Sequence, residues 1–168
     1  VYYHCYYIVS LASELEPEFF YPYWHDFATL INNENSYHRS IGLTIIANLV
    51  MCDRDCLIDT LIHDYLAHID DEKFMTGQCC VKNLTKIVNN RKELKQHIIE
   101  TLLSIDEKSS YPEKQKELLK YDILSVFEII YDTIDKKDNI NQFIIKASDS
   151  ISGKTKKKAK QLRKKYNI

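Results

Sequence analysis

Two His-Asp dipeptides, His25-Asp26 and His63-Asp64, are the residues in this chain best equipped for chemistry. An imidazole beside a carboxylate can ligate a divalent metal ion, and a metal so held activates water for hydrolysis. Their spacing argues against a shared site. The pairs stand 38 residues apart at equivalent points of a repeating pattern, and a third copy of that pattern carries Ile99-Glu100 instead. Side chains stacked on successive helices, about 10 Å apart, do not converge on one ion. The second set of candidates is the cysteines Cys5, Cys52, Cys56, Cys79 and Cys80. Cys52 with Cys56, or Cys79-Cys80 with His63, would supply thiolates, but structural zinc is bound by two closely spaced pairs, and that spacing is missing. The count of five is odd and follows no disulfide framework, and no secretory signal stands in the sequence. The cysteines therefore read as reduced thiols that pack like small hydrophobes, and a cytoplasmic protein is expected.

Other catalytic signatures are missing as well. There is no Gly-rich phosphate loop and no Gly-x-Ser-x-Gly elbow, Ser10 has no evident base, and three glycines in 168 residues leave little material for loops that cradle a ligand. The sequence predicts no catalytic residue, no metal and no cofactor. Hydrophobic residues at 45% and charged residues at 28% are ordinary for a globular domain, and no apolar run reaches the roughly 18 to 20 residues of a membrane span. The strongest local bias is basic: Lys154, Lys156, Lys157, Lys158, Lys160, Arg163, Lys164 and Lys165 follow the last acid, Asp149, and the rest of the chain carries 15 basic against 24 acidic residues, a net −9. A run of this kind can contact the phosphates of a nucleic acid through 154–165. It can also form the polar outer helix that ends a helical stack, with Ala159, Leu162 and Tyr166 as its seam. The cap is the preferred reading, because the acidic body repels a polyanion and no base-stacking aromatics flank the lysines.

The elements that position these residues follow from the repeat. Three glycines and three prolines are too few for the turns of a sheet protein, and long stretches show helical spacing. Residues 23–34 align with 61–72, and 41–50 with 79–88, both at an offset of 38, so two helices repeat as a unit. Another step of 38 places 3–12 in register, which makes Val1 the start of a second helix and the chain one with residues missing upstream. A third first-helix copy, Ile98–Asp106, lies at an offset of 36, and its second helix follows an insertion around Ser109–Pro112. Helices are predicted over 2–14, 18–32, 36–51, 55–69, 73–89, 92–104, 113–135, 139–151 and 154–166, with Ser36 as an N-cap and stops at Pro17, Asn32-Asn33, Asp53, Asp70-Asp71, Asn89-Asn90 and Asp106.

A helix pair of about 38 residues resembles the HEAT or armadillo repeat. Two blocks in particular resemble bacterial HEAT-like proteins: Asn35-Ser36-Tyr37-His38-Arg39 running into Gly42-Leu43-Thr44-Ile45-Ile46-Ala47, and Asp71-Glu72-Lys73-Phe74-Met75-Thr76 followed by Gln78-Cys79-Cys80-Val81. The resemblance implies an all-α, right-handed superhelix of about nine helices in roughly four pairs. It spans 1–168 as a single domain, with 153–168 as a basic capping helix. In such repeats a turn acid and an inner-helix arginine form a ladder; Arg39 fits that position and Gln78 departs from it. The second helices of such stacks line a concave face. With Cys5, Ile8, Val9, Ala12, Leu43, Ile46, Ala47, Val50, Val81, Leu84 and Val88 as the core stripe, the opposite stripe is Tyr3, Tyr6, Tyr7, Ser10, Thr44, Ile45, Asn48, Lys82, Asn83 and Lys86. That stripe, with Arg39, is the expected binding surface. A non-catalytic scaffold for a protein partner is the expected function. The alternative is a nucleic-acid binder, including a relative of HEAT-like DNA glycosylases, with Trp24 and the tyrosines as base-stacking groups.

Overall fold

The structure, a computed structural model, describes residues 2–168, with the backbone alone at Tyr2 and Tyr3. Among the described residues every regular element is helical. The chain packs as two compact units, Val1–Arg91 and Lys92–Ile168.

The first unit contains α1 (Tyr2–Leu15), α2 (Pro17–Phe20), α3 (Trp24–Ile31), α4 (Ser36–Leu49), α5 (Leu57–Ala67) and α6 (Phe74–Asn90). Helix α4 is its centre and packs against α1, α3 and α6. The reason is visible in Ile41–Val50, which is apolar all round apart from Thr44 and Asn48; a helix of that kind has no face to offer to water, and Gly42 through Val50 are all buried. Gly42 sets the distance to α3. A Cβ there would stand 2.9 Å from the Ile31 amide nitrogen and 3.0 Å from the Phe27 carbonyl oxygen. Side chains start the helices: Asn35 Oδ1 accepts the Tyr37 amide at the head of α4, and the Asp53 carboxylate accepts the Leu57 and Ile58 amides at the head of α5, each at 2.9 Å. The cap of α4 is thus Asn35, one residue before the expected Ser36.

Two expectations are corrected here. The predicted helix 18–32 is broken into α2, a 3-10 turn at Tyr21–Tyr23 and α3, because Pro22 has no amide hydrogen to continue the ladder. The predicted core stripe of α1 also fails in part. Its mates Leu43, Ile46, Ala47, Val50, Val81, Leu84 and Val88 are buried, but Cys5 and Ile8 are exposed. Val9 and Ala12 of that stripe are half-buried, and α1 meets α4 through Tyr6, Ser10 and Ser13.

The second unit contains α7 (Lys95–Leu103), α8 (Ile105–Lys108), α9 (Glu113–Ile130), α10 (Asp138–Ala147) and α11 (Gly153–Tyr166). The short α8 precedes the expected insertion at Ser109–Pro112, which leads into α9. Helices α9, α10 and α11 pack on one another, with the Phe127 and Phe143 rings edge to face at 5.3 Å. Thr155, Ala159 and Leu162, spaced i, i+4 and i+7, are buried on the inner side of α11. Its ends are marked by Ser152 Oγ, which accepts the Thr155 amide, and by Asn167 in the left-handed region at φ 54°. No helix among the described residues is long and apolar enough to cross a membrane.

Candidate functional site

The polar residues of the expected binding stripe form hydrogen bonds to one another at the repeat spacing. Asn48 Nδ2 donates to the Ser10 carbonyl at 3.0 Å and to Ser13 Oγ at 2.9 Å, and Lys86 Nζ donates to Asn48 Oδ1 at 2.5 Å and Glu14 Oε2 at 2.9 Å. One turn earlier, Tyr6 OH lies 3.2 Å from Thr44 Oγ1, which also accepts from Asn83 Nδ2 at 3.2 Å. Ser10, Asn48 and Lys86 are successive mates 38 residues apart, as are Tyr6 and Thr44. The stripe is thus a polar seam between α1, α4 and α6, where each buried group finds a partner on the next helix.

Its members consequently differ in what they can offer a ligand. Arg39, Thr44, Ile45, Asn48 and Asn83 are buried, Tyr6, Ser10 and Lys86 are half-buried, and Tyr7 and Lys82 are exposed. The Tyr3 side chain lies outside the described residues. A nearly all-apolar segment around Ile45 was the sequence signal that this face is covered.

Two further clusters tie the first unit together at its turns. The Arg39 guanidinium donates to Asp71 Oδ2 at 2.8 Å and Oδ1 at 2.7 Å, to Glu72 at 3.1 Å, and to the carbonyls of Asn33 and Glu34. Burial works to raise the Asp71 carboxyl, but Arg39, the Lys73 amide and His68 outweigh it and hold the group below the usual carboxylate range. At the opposite turns, Arg91 donates to Asp53 at 3.1 Å and Asp59 at 2.6 Å, while Tyr21 OH donates to Asp53 Oδ1 at 3.0 Å and Asp55 Oδ2 at 2.9 Å. The Arg91–Asp53 cluster escaped the sequence reading, although 53 and 91 are also 38 apart.

His68 Nδ1 lies 2.8 Å from Asp71 Oδ2, the contact of a general-base dyad, but its Nε2 is buried away from solvent and from any polar partner. His25, Asp26, His63 and Asp64 are exposed, and among the described residues no three His, Cys, Asp or Glu side chains gather as metal ligands would. Burial pushes the Cys80 thiol well up and the Cys79 thiol up, so neither is a ready thiolate. Trp24 is buried with the Tyr21 ring edge-on at 5.9 Å, which withdraws it from base stacking.

Two exposed helix faces stand out among the described residues. The first is the outer side of α1, where Tyr7, Ile8, Leu11 and Leu15 are 53 to 68% exposed. At 100° per residue they share an arc of about 100°. The second is the outer side of α11, which carries Lys156, Lys157, Lys160 and Lys164. Compared with models of protein families, with curated proteins and with solved structures, the chain matches none.

Proposed function

We propose that this protein is a non-catalytic, HEAT-like helical-repeat scaffold of right-handed superhelical type. It engages a protein partner by taking an amphipathic helix of that partner onto the outer face of α1. The observation that supports this most is a contrast within the repeat. Ile8 and Leu11 are exposed, whereas their mates 38 residues on, Ile46 and Leu49, are fully buried in α4, which is flanked by α3 as well as by α1 and α6. The occupant that satisfies the α1 face is therefore one like α3, a helix with an apolar stripe. Isolated exposed hydrophobes need no explanation, but three aliphatic side chains at i, i+3 and i+7 form a continuous strip. Burying each of them contributes about 1.5 to 3 kcal/mol, enough for a specific contact when joined by a polar rim.

The test is site-specific photo-crosslinking of the full chain in its native cells, with the photoreactive residue at position 11. The expected product joins position 11 to one partner through a segment with apolar residues at helical spacing, and Leu15→Asp removes it. A product of twice the chain's mass, or an intramolecular link from position 11 to a segment of the same protein that precedes Val1, would assign the face to the protein itself and overturn the reading. So would a pattern no different from that of a photoreactive residue at position 157.

A further inference from the structure

The basic run of 154–165 sorts into two sets once it is placed on α11. Lys158 and Lys165 both pair with Glu128, the latter at 3.0 Å, Lys154 Nζ sits 3.6 Å over the Tyr121 ring, and Arg163 Nε donates to the Ile168 carbonyl at 3.4 Å. The three lysines serve the packing of α11 on its own unit, whereas Arg163 is exposed and ties down the residues that follow the helix. Lys156, Lys157, Lys160 and Lys164 have no acidic partner among the described residues and line one surface with Gly153 and Gln161. At 100° per residue the four lysines span an arc of about 100°, roughly opposite the arc of Thr155, Ala159 and Leu162. Cap and cationic surface are therefore two sides of one helix rather than competing readings.

The positive charge of the second unit is concentrated in this helix: without the eight basic residues of 154–165 the unit carries 9 Lys and Arg against 12 Asp and Glu, a net −3. The second unit holds 17 Lys and Arg against 12 Asp and Glu, a net +5, while the first holds 6 against 12, a net −6. We propose that the outer face of α11 binds the phosphate backbone of double-stranded nucleic acid without reading its sequence. Each feature of the face excludes a competitor. Lysine is a point charge suited to phosphate, and no arginine lies among the four to read a base edge. The stripe has no exposed aromatic for stacking on unpaired bases, since Tyr166 is stacked on Tyr131 at 3.6 Å and Tyr121 is covered by Lys154. A helix lying in a membrane surface needs its apolar side free, and that side of α11 is buried against α9 and α10.

The proposal is tested on the full chain by anisotropy of a short fluorescein-labelled DNA duplex of mixed sequence. Binding is expected with Kd of about 10⁻⁶ to 10⁻⁴ M at physiological salt, and four phosphate contacts give a slope of log K against log[salt] of about −3 to −4. Lys157→Glu, Lys160→Glu and Lys164→Glu together should weaken binding at least about tenfold and flatten that slope toward −1. The charge-matched set Lys108→Glu, Lys114→Glu and Lys136→Glu, also on exposed positions, should keep most of the affinity. All six positions are solvent-exposed, so the thermal midpoint of both variants stays near that of the parent. No duplex binding at low salt would overturn the proposal, as would equal losses in the two variants or tighter binding of the corresponding single strand. Binding of phosphatidylserine vesicles in place of duplex would move the face to membranes and overturn it too.

Discussion

Replacing Arg39 by Met keeps most of the side chain's volume and removes the charge from the centre of the Arg39–Asp71 cluster. The guanidinium makes five hydrogen bonds, and the two side chains are 7% and 3% exposed. Breaking a buried pair on one side costs about 3 to 5 kcal/mol because the other charge stays buried. Asp71 keeps the Lys73 amide and His68, which places the loss near the lower end, about 3 kcal/mol. Asp71→Asn alone should cost a similar amount, and the double variant less than the two together, with a coupling of about 1 to 2 kcal/mol. Urea denaturation followed at Trp24 measures this in the first unit alone, since Trp24 is the single tryptophan and is 3% exposed within that unit. For a unit of this size, with m of about 1 to 2 kcal/mol/M, the midpoint should fall by roughly 1.5 to 3 M. A loss below about 1 kcal/mol, or strictly additive effects, would refute the reasoning.

Three other perturbations follow from named groups. Gly42→Ala should destabilise the first unit by about 1 to 2 kcal/mol in the same titration, despite alanine's better helix propensity, because the new Cβ meets backbone atoms of α3 that cannot rotate away. Cys56 enters α5 in the left-handed region at φ 57°, so Cys56→Asn, which tolerates that region, should gain about 0.5 to 1 kcal/mol; a loss would contradict it. The carboxyls of Asp71, Asp106 and Glu128 are held below their ordinary values by their cationic partners. Their contribution is present in full above the unfolded values near pH 4 and disappears as pH falls through the lower folded values, so the thermal midpoint should drop below about pH 4. A midpoint unchanged from pH 6 to pH 3 would show that these pairs contribute nothing.

The helix spans were legible in the sequence because the 38-residue offset aligns stop signals as well as apolar positions. Segments predicted at 36–51, 73–89 and 113–135 appear as α4, α6 and α9, the first and last ending in a 3-10 turn. The break at Pro22 was equally readable from its missing amide and was passed over because periodicity ran through it. The candidate site was read less well, for a physical reason. A polar residue at fixed spacing can face water or a partner on the next helix, and periodicity does not distinguish the two. Asn48 and Thr44 took the second course. The α1 strip was hidden because Ile8 has core residues as its repeat-mates, and only packing shows whether a neighbour covers it. For α11 the composition was plain, but sorting its lysines needed the positions of Glu128 and Tyr121.

The claim on which the rest depends is that residues 38 apart meet on neighbouring helices in both units. Side-chain NOE contacts in the full chain measure it most directly. Cross-peaks are expected between the Tyr6 ring and the Thr44 methyl, between the Asn48 amide and Ser10, and between Tyr166 and Glu128, whose carbonyl accepts the tyrosine hydroxyl at 3.2 Å. Contacts at another spacing, or none between these pairs, would contradict the register, and with it the assignment of the polar seam to the interior and of α1 to binding.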